Sequence, residues 1–240
     1  MQFDPKAIRA LTFDIQGTAV DFYTPVLRMG AAVNAAKGLS IDWAAMSKTW
    51  RALYREGMDA VIAGARPWLP VEQIYREALD LLLEGLGVSD SFTPTERDTM
   101  NAVWSKLDAW PDSAAGLARL RKTYTLATLS NAGMPALISV TKHAGLVFDC
   151  VLSADLARSY KPAAAVYQLA VECLGVAPSE ILMVASHKYD LVAARTFGMR
   201  TAFVARPLEF GPDERPDIGP DPTFDINARD FGDLADQLGA

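Results

Sequence analysis

The chain has 240 residues, half of them hydrophobic and 22% charged, a balance that suits a globular protein and excludes a disordered one. Twenty-nine acidic against 23 basic residues leave a net charge of −6, which argues against nucleic acid or an anionic membrane as the main partner. Two cysteines, Cys150 and Cys173, cannot build a disulfide framework or a four-ligand zinc site, and both are expected as buried thiols.

The first residues lack a basic start followed by an apolar run. Thr123–Thr141, the longest stretch without charge, is broken by Ser130, Asn131, Gly133 and Pro135. The expectation is a soluble, cytoplasmic chain with no membrane span. Strands are predicted at Ala10–Ile15, Thr125–Leu129, Cys150–Ser153, Ile181–Ala185, Thr201–Val204 and Phe224–Ile226, most of them almost wholly apolar. Such runs suit strands covered on both faces. Helices are predicted between them at Ser113–Lys122, Pro135–Ala144, Ala163–Leu174 and Asp190–Phe197. The alternation predicts an α/β fold with a doubly wound parallel sheet.

One interval breaks the alternation. About ninety residues after the first strand contain no convincing strand, while Pro25–Gly38, Asp42–Ala63, Val71–Leu86 and Pro94–Trp110 read as helices punctuated by Gly38, Gly64 and Gly87. The expected organisation is a Rossmann-like core of residues 1–18 and 98–240, with residues 19–97 forming a helical cap over the carboxyl edge of the sheet. Ligands bind at that edge in open α/β sheets. The Pro- and Asp-rich stretch from Arg206 to Pro222 reads as a surface loop.

Four strand ends carry the chemistry. Asp14 ends the first strand and is followed by Gly17-Thr18, a placement that suits a carboxylate nucleophile. Ser130 and Asn131 follow the second strand just before a helix start, where free N–H groups favour an anion. Lys161-Pro162 precedes a helix, and Asp190 follows the strand ending at Ala185. A cap helix carries Trp50-Arg51, with Arg55 and Arg66 as rival cations.

In these residues the chain resembles the haloacid dehalogenase superfamily, and within it the L-2-haloacid dehalogenases. Phe13-Asp14 with Gly17-Thr18, Leu129-Ser130-Asn131, Tyr160-Lys161-Pro162 and Asp190 match its four motifs, while Arg51, Tyr167 and Trp110-Pro111-Asp112 match features of the dehalogenase branch. The resemblance implies hydrolysis of small 2-haloacids to 2-hydroxy acids through an ester on Asp14. Arg51 and Asn131 would receive the halide, Ser130 and neighbouring backbone N–H groups the substrate carboxylate. Lys161 would keep Asp14 ionised, and Asp190 would position water. Ile15, Gln16, Tyr167 and Trp68 are expected to line the site, with Phe22, Tyr23 and Tyr54 as further wall candidates.

Gln16 stands where phosphatases of the superfamily carry an acid for the leaving alcohol, and an amide does no acid–base work at neutral pH. A halide leaves without a proton, so neither metal nor cofactor is expected. The chain also departs from the dehalogenase pattern, with Ala185 and His187 in place of Ser and Asn. His187 is therefore expected to orient or deprotonate the hydrolytic water, with Asp21 as its candidate orienter. A magnesium-dependent phosphatase and a non-catalytic binding protein stay open as alternatives, as does the choice between monomer and homodimer.

Overall fold

A computed structural model describes residues 3–240. The strand β1 (Ala10–Phe13) is followed by the short β2 (Val20–Asp21), which pairs antiparallel with β3 (Asp108–Ala109). β1 itself lies between β4 (Thr125–Thr128) and β5 (Ile181–Ala185). With β6 (Arg200–Val204) and β7 (Ile226–Ala228) they form a parallel sheet of order β4-β1-β5-β6-β7. Every residue of β1 and β5 is buried, as their sequences, apolar except for Thr12, require of strands covered on both faces. Phe13 sits opposite Thr128 on one side and Val184 on the other, so the three strands end level. Their next residues are thereby delivered to one edge of the sheet.

Four helices lie between β2 and β3: α1 (Tyr23–Lys37), α2 (Trp43–Ile62), α3 (Val71–Gly85) and α4 (Pro94–Asn101). Asp42 caps α2 through the N–H groups of Ala44 and Ala45, and Thr93 with Glu96 forms a capping box on α4. The i, i+3, i+4 stripe of α3 (Val71, Ile74, Tyr75, Ala78, Leu79, Leu83) is buried, as is the Trp50, Tyr54 and Met58 stripe of α2. Trp50 Nε1 donates to the Tyr75 carbonyl at 2.8 Å and ties the two helices together. The remaining helices are α5 (Ser113–Leu120), α6 (Met134–His143), α7 (Ala164–Leu174), α8 (Lys188–Phe197) and α9 (Phe231–Leu238). Among the described residues no helix is long and apolar enough to cross a membrane.

Several sequence expectations need correction. The predicted helix to Trp110 ends at Asn101, passes into a 3-10 turn over Ala102–Ser105, and gives way to β3. The interval read as strand-free therefore holds both β2 and β3, each too short to show a period. Cys150–Ser153 makes bridges to Ala127 and Ser130 but no full strand, and the last strand falls two residues later than Phe224. Neither thiol is fully buried, since Cys150 is half-buried and Cys173 exposed.

Candidate functional site

The carboxyl edge of the three central strands brings the predicted residues together. Asp14 remains tied to the sheet, its N–H donating to the Val184 carbonyl at 3.0 Å, while its side chain turns into a buried cluster. Lys161 Nζ donates to Asp14 Oδ1 at 2.9 Å and to Asp190 Oδ2 at 2.5 Å. Tyr167, on α7, donates its hydroxyl to the other Asp190 oxygen at 2.7 Å. Asp190 lies in the first turn of α8, where the positive end of the helix dipole favours its charge. Thr18 donates to Asp14 Oδ2 at 2.8 Å and accepts from the Ser186 N–H at 2.9 Å. Asn131 accepts the Lys161 N–H through Oδ1 at 2.7 Å, so the loop after β4 positions the lysine backbone. Ser130, also buried, accepts the Ala132 N–H at 3.2 Å. Ile15 is fully buried.

Burial alone would raise the Asp14 carboxyl, but the Lys161 ammonium and the His187 ring beside it outweigh that and hold it well below the usual range. Lys161 is pushed above its ordinary value, since the attraction of Asp14 and Asp190 exceeds the cost of its burial. The aspartate is thus an anion with its charge confined among Lys161, Thr18 and His187. A carboxyl whose folded pKa is lowered stabilises the fold above its unfolded value, about 4, and loses that contribution as the pH falls further. Lys161→Met leaves two buried carboxylates without their shared cation. Urea denaturation should show a loss of about 3–5 kcal/mol at pH 7, shrinking as the pH is lowered through 4.

His187 occupies the space between two carboxylates. Its Nδ1 stands 3.1 Å from Asp14 Oδ2, and its Nε2 stands 2.6 Å from Glu209 Oε1. Burial disfavours the imidazolium, yet Glu209 and Asp14 together raise its pKa well above the ordinary value. In the resting protein His187 is therefore a cation that donates to both carboxylates, and not a free base. The stability it lends is full at pH values below an ordinary histidine pKa and is lost as the pH rises through the elevated one.

Glu209 answers the expectation placed on Asp21, which instead accepts the Thr24 N–H at 3.1 Å at the start of α1. The stretch beginning at Arg206 is likewise not all surface loop, because Arg206 and Glu209 are both buried. Arg206 grips Asp112 with two hydrogen bonds of 2.7 and 2.9 Å and donates to the Thr18 carbonyl at 2.7 Å. It thereby fixes the turn behind Asp14. Gly17 in that turn has φ +90°, and a Cβ there would lie 2.3 Å from Glu209 Oε1. Gly17→Ala should cost about 1–3 kcal/mol in chemical denaturation and push Glu209 off His187.

Side chains of α2 and α3 reach the same edge. Arg51 donates to Gln16 Oε1 at 3.2 Å and to the Tyr75 hydroxyl at 2.6 Å, with its guanidinium between the Phe22 and Tyr54 rings at 4.7 and 4.8 Å. The rivals lie elsewhere: Arg55 pairs with Asp59, and Arg66 with Glu77. Met58 Sδ lies 3.4 Å from Asn131 Nδ2, and Glu72 accepts the Gly133 N–H at 2.9 Å. A cleft of about 420 Å³ is lined by Arg51, Tyr54, His187 and Phe210, among others. Trp68 does not join this group; it lies half-buried beneath the Arg158 guanidinium at 5.0 Å, without a hydrogen bond to its Nε1. Tyr23 packs against Gly211. Sequence reasoning missed Tyr75, Arg206 and Glu209, and quoted Thr18 only as part of the first motif, without a role. Among the described residues, no group of three or more His, Cys, Asp or Glu side chains is arranged to hold a metal ion.

The sequence model of haloacid dehalogenase-like hydrolases matches residues 8–198. The (S)-2-haloacid dehalogenase 4A of Burkholderia cepacia is 33% identical over 207 residues, 83% of this chain and 84% of that one. Among solved structures, the defluorinating L-2-haloacid dehalogenase Rha0230 superposes with a TM-score of 0.94 at 36% identity, covering 100% of both chains. The L-2-haloacid dehalogenase PA0810 gives 0.92 at 36% identity, over 97% of this chain and 99% of that one.

Proposed function

We propose, from the premise that the chain belongs to the haloacid dehalogenase-like hydrolase family, that it hydrolyses the carbon–halogen bond of small 2-haloacids to give 2-hydroxy acids. The observation that carries this reading is the ionised Asp14 at the end of β1, with Lys161 bridging it to Asp190 and the Arg51 guanidinium within reach of the neighbouring Gln16. An Asp14 oxygen attacks the halogen-bearing carbon from behind. The new C–O bond forms as the C–halogen bond breaks, and the halide departs with the electron pair. Arg51 and Asn131 stabilise the departing anion, and Ser130 with the backbone N–H groups near Ile15 holds the substrate carboxylate. Only interactions that strengthen as charge moves to the halide speed this step.

Esterification cancels the Asp14 charge and so removes one of the two anions that keep His187 protonated. The ring then releases that proton to solvent through the cleft it lines, and Glu209 holds the neutral imidazole against the incoming water, as the acid member does in a Ser-His-Asp triad. His187 takes the water proton as the oxygen adds to the Asp14 carbonyl carbon. Collapse of that adduct expels the substrate oxygen, which takes the proton from His187 and leaves as the hydroxyl of the hydroxy acid. The Asp14 carboxyl so formed passes its own proton to His187, which restores the resting ion pair. Asp190, itself held by the Tyr167 hydroxyl, keeps Lys161 in place throughout. Residues 19–97 serve as the cap, residues 1–18 and 98–240 as the core, and the enzyme works in the cytoplasm.

A magnesium-dependent phosphatase is the weaker reading. Its leaving alcohol needs a proton donor where Gln16 stands, and its cation would compete with the Lys161 ammonium for the Asp14 and Asp190 oxygens. The test is halide release from chloroacetate, bromoacetate, fluoroacetate and (S)-2-chloropropionate, beside a chromogenic phosphate ester, each with and without chelator. Halide release indifferent to chelator is expected. Turnover of the phosphate ester alone, abolished by chelator, contradicts the reading.

A further inference from the structure

The Tyr75 hydroxyl points, with Arg51, at a single buried position beside the nucleophile. Tyr75 is 1% exposed and donates to Gln16 Oε1 at 2.9 Å, while Arg51 donates to the same oxygen at 3.2 Å. Arg51 also donates to the Tyr75 oxygen at 2.6 Å, which leaves the single phenolic proton for Gln16 and polarises that O–H bond. Burial pushes the Tyr75 pKa up to about 12, so the group stays a donor at any working pH. Two donors from different helices thus converge on one amide oxygen two residues beyond Asp14. A neutral oxygen that draws a guanidinium and a buried hydroxyl stands where an anion would be bound more strongly.

We propose that Tyr75 is a halide-binding residue that sets how strongly the enzyme distinguishes one leaving halide from another. The inference rests on the dehalogenase reading above. As the C–halogen bond breaks, the departing halide takes the place of Gln16 Oε1 between Arg51 and Tyr75. The Gln16 side chain turns aside and offers its amide N–H groups in place of its oxygen. No proton leaves Tyr75; the halide carries away the bonding pair and gains a hydrogen bond.

The donors cannot readily spread to suit a larger anion. The Tyr75 ring is stacked between Tyr54 at 4.2 Å and Trp104 at 4.1 Å, and its main-chain carbonyl accepts the Trp50 indole N–H at 2.8 Å. Arg51 is held between Phe22 and Tyr54. Their separations from Gln16 Oε1 are those of a first-row acceptor. Fluoride, the smallest halide with the densest charge, therefore gains most from the hydroxyl, and bromide gains least.

Tyr75→Phe removes the hydroxyl and its two hydrogen bonds but keeps the ring stack, so the fold should persist with a melting temperature only a few degrees lower. Its kcat/KM should fall about 100-fold for fluoroacetate, about 10-fold for chloroacetate and about threefold for bromoacetate, the first of these being the loss typical of one donor to a developing anion. A second readout is independent of turnover. Sodium fluoride, chloride and bromide are titrated against the tryptophan fluorescence of parent and variant, since Trp50 and Trp104 both touch Tyr75. The parent-to-variant affinity ratio should decrease from fluoride to bromide. Equal losses for all three halides, or none in either readout, overturn the proposal. Absence of halide release by the parent overturns the dehalogenase reading instead, and the titration still decides whether Tyr75 grades halides.

Discussion

Asp14→Asn is expected to lose halide release from chloroacetate by about three orders of magnitude or more, as removal of an essential nucleophile does, while the protein stays folded. The carbamoyl group cannot attack saturated carbon with a full negative charge. Lys161 keeps Asp190 as its partner at 2.5 Å, so no buried cation is stranded. The same substitution takes one anion away from His187, whose pKa should fall because Glu209 alone remains to hold its proton. Nitrogen-15 chemical shifts of His187 across pH report that fall, and circular dichroism confirms the fold. A variant that is unfolded, or one with halide release near the parent's, contradicts the role given to this side chain.

His187→Ala is expected to separate the two halves of the reaction. Alkylation of Asp14 needs no base, so one equivalent of halide should appear in a burst. Steady-state turnover should then drop about 10²–10⁴-fold, the usual contribution of a positioned base. Intact-protein mass should rise by the substrate residue as the ester accumulates. Glu209→Gln gives a finer test. It leaves a hydrogen-bond partner for His187 but removes the adjacent negative charge, which lowers the imidazole pKa. The acidic limb of the kcat profile should therefore shift to lower pH, with a reduced plateau because the base is weaker. A variant that only lost packing at this position would reduce the rate without moving the limb. A limb that stays, or shifts to higher pH, argues against the Glu209–His187 pair as the base.

The legible parts of this site were those written at strand ends and on a single helix turn. Asp14, Ser130, Asn131 and Asp190 could be placed because they come just after the strands β1, β4 and β5, and Lys161 because Lys-Pro stands before a helix. Arg51 could be ranked but not chosen by pattern alone. Its position between Phe22 and Tyr54 comes from how α2 packs over the sheet edge, and Arg55, one turn along, presents itself to Asp59 and Tyr189 instead.

Glu209 escaped notice for a different reason. The Pro- and Asp-rich composition after Val204 suggests solvent, yet Glu209 lies five residues beyond the end of β6, as Asp190 lies five beyond the end of β5, and Arg206 stands between. The strand-end criterion, applied to β6 as it was to the other strands, would have singled them out. Tyr75 carried no such signal, since it falls on the buried stripe of α3 and looks like core until its hydroxyl partner is seen. The strands β2 and β3, two residues each, hold no period to detect.

Oxygen tracing probes the covalent step itself. The protein is turned over repeatedly on chloroacetate in water enriched in oxygen-18, digested, and the peptide spanning Asp14 is weighed. The peptide should take up the heavy isotope, and glycolate from the first turnover should carry ordinary oxygen drawn from the aspartate. An unlabelled peptide together with labelled glycolate in that first turnover would mean that water attacks the substrate directly, and that Asp14 forms no ester.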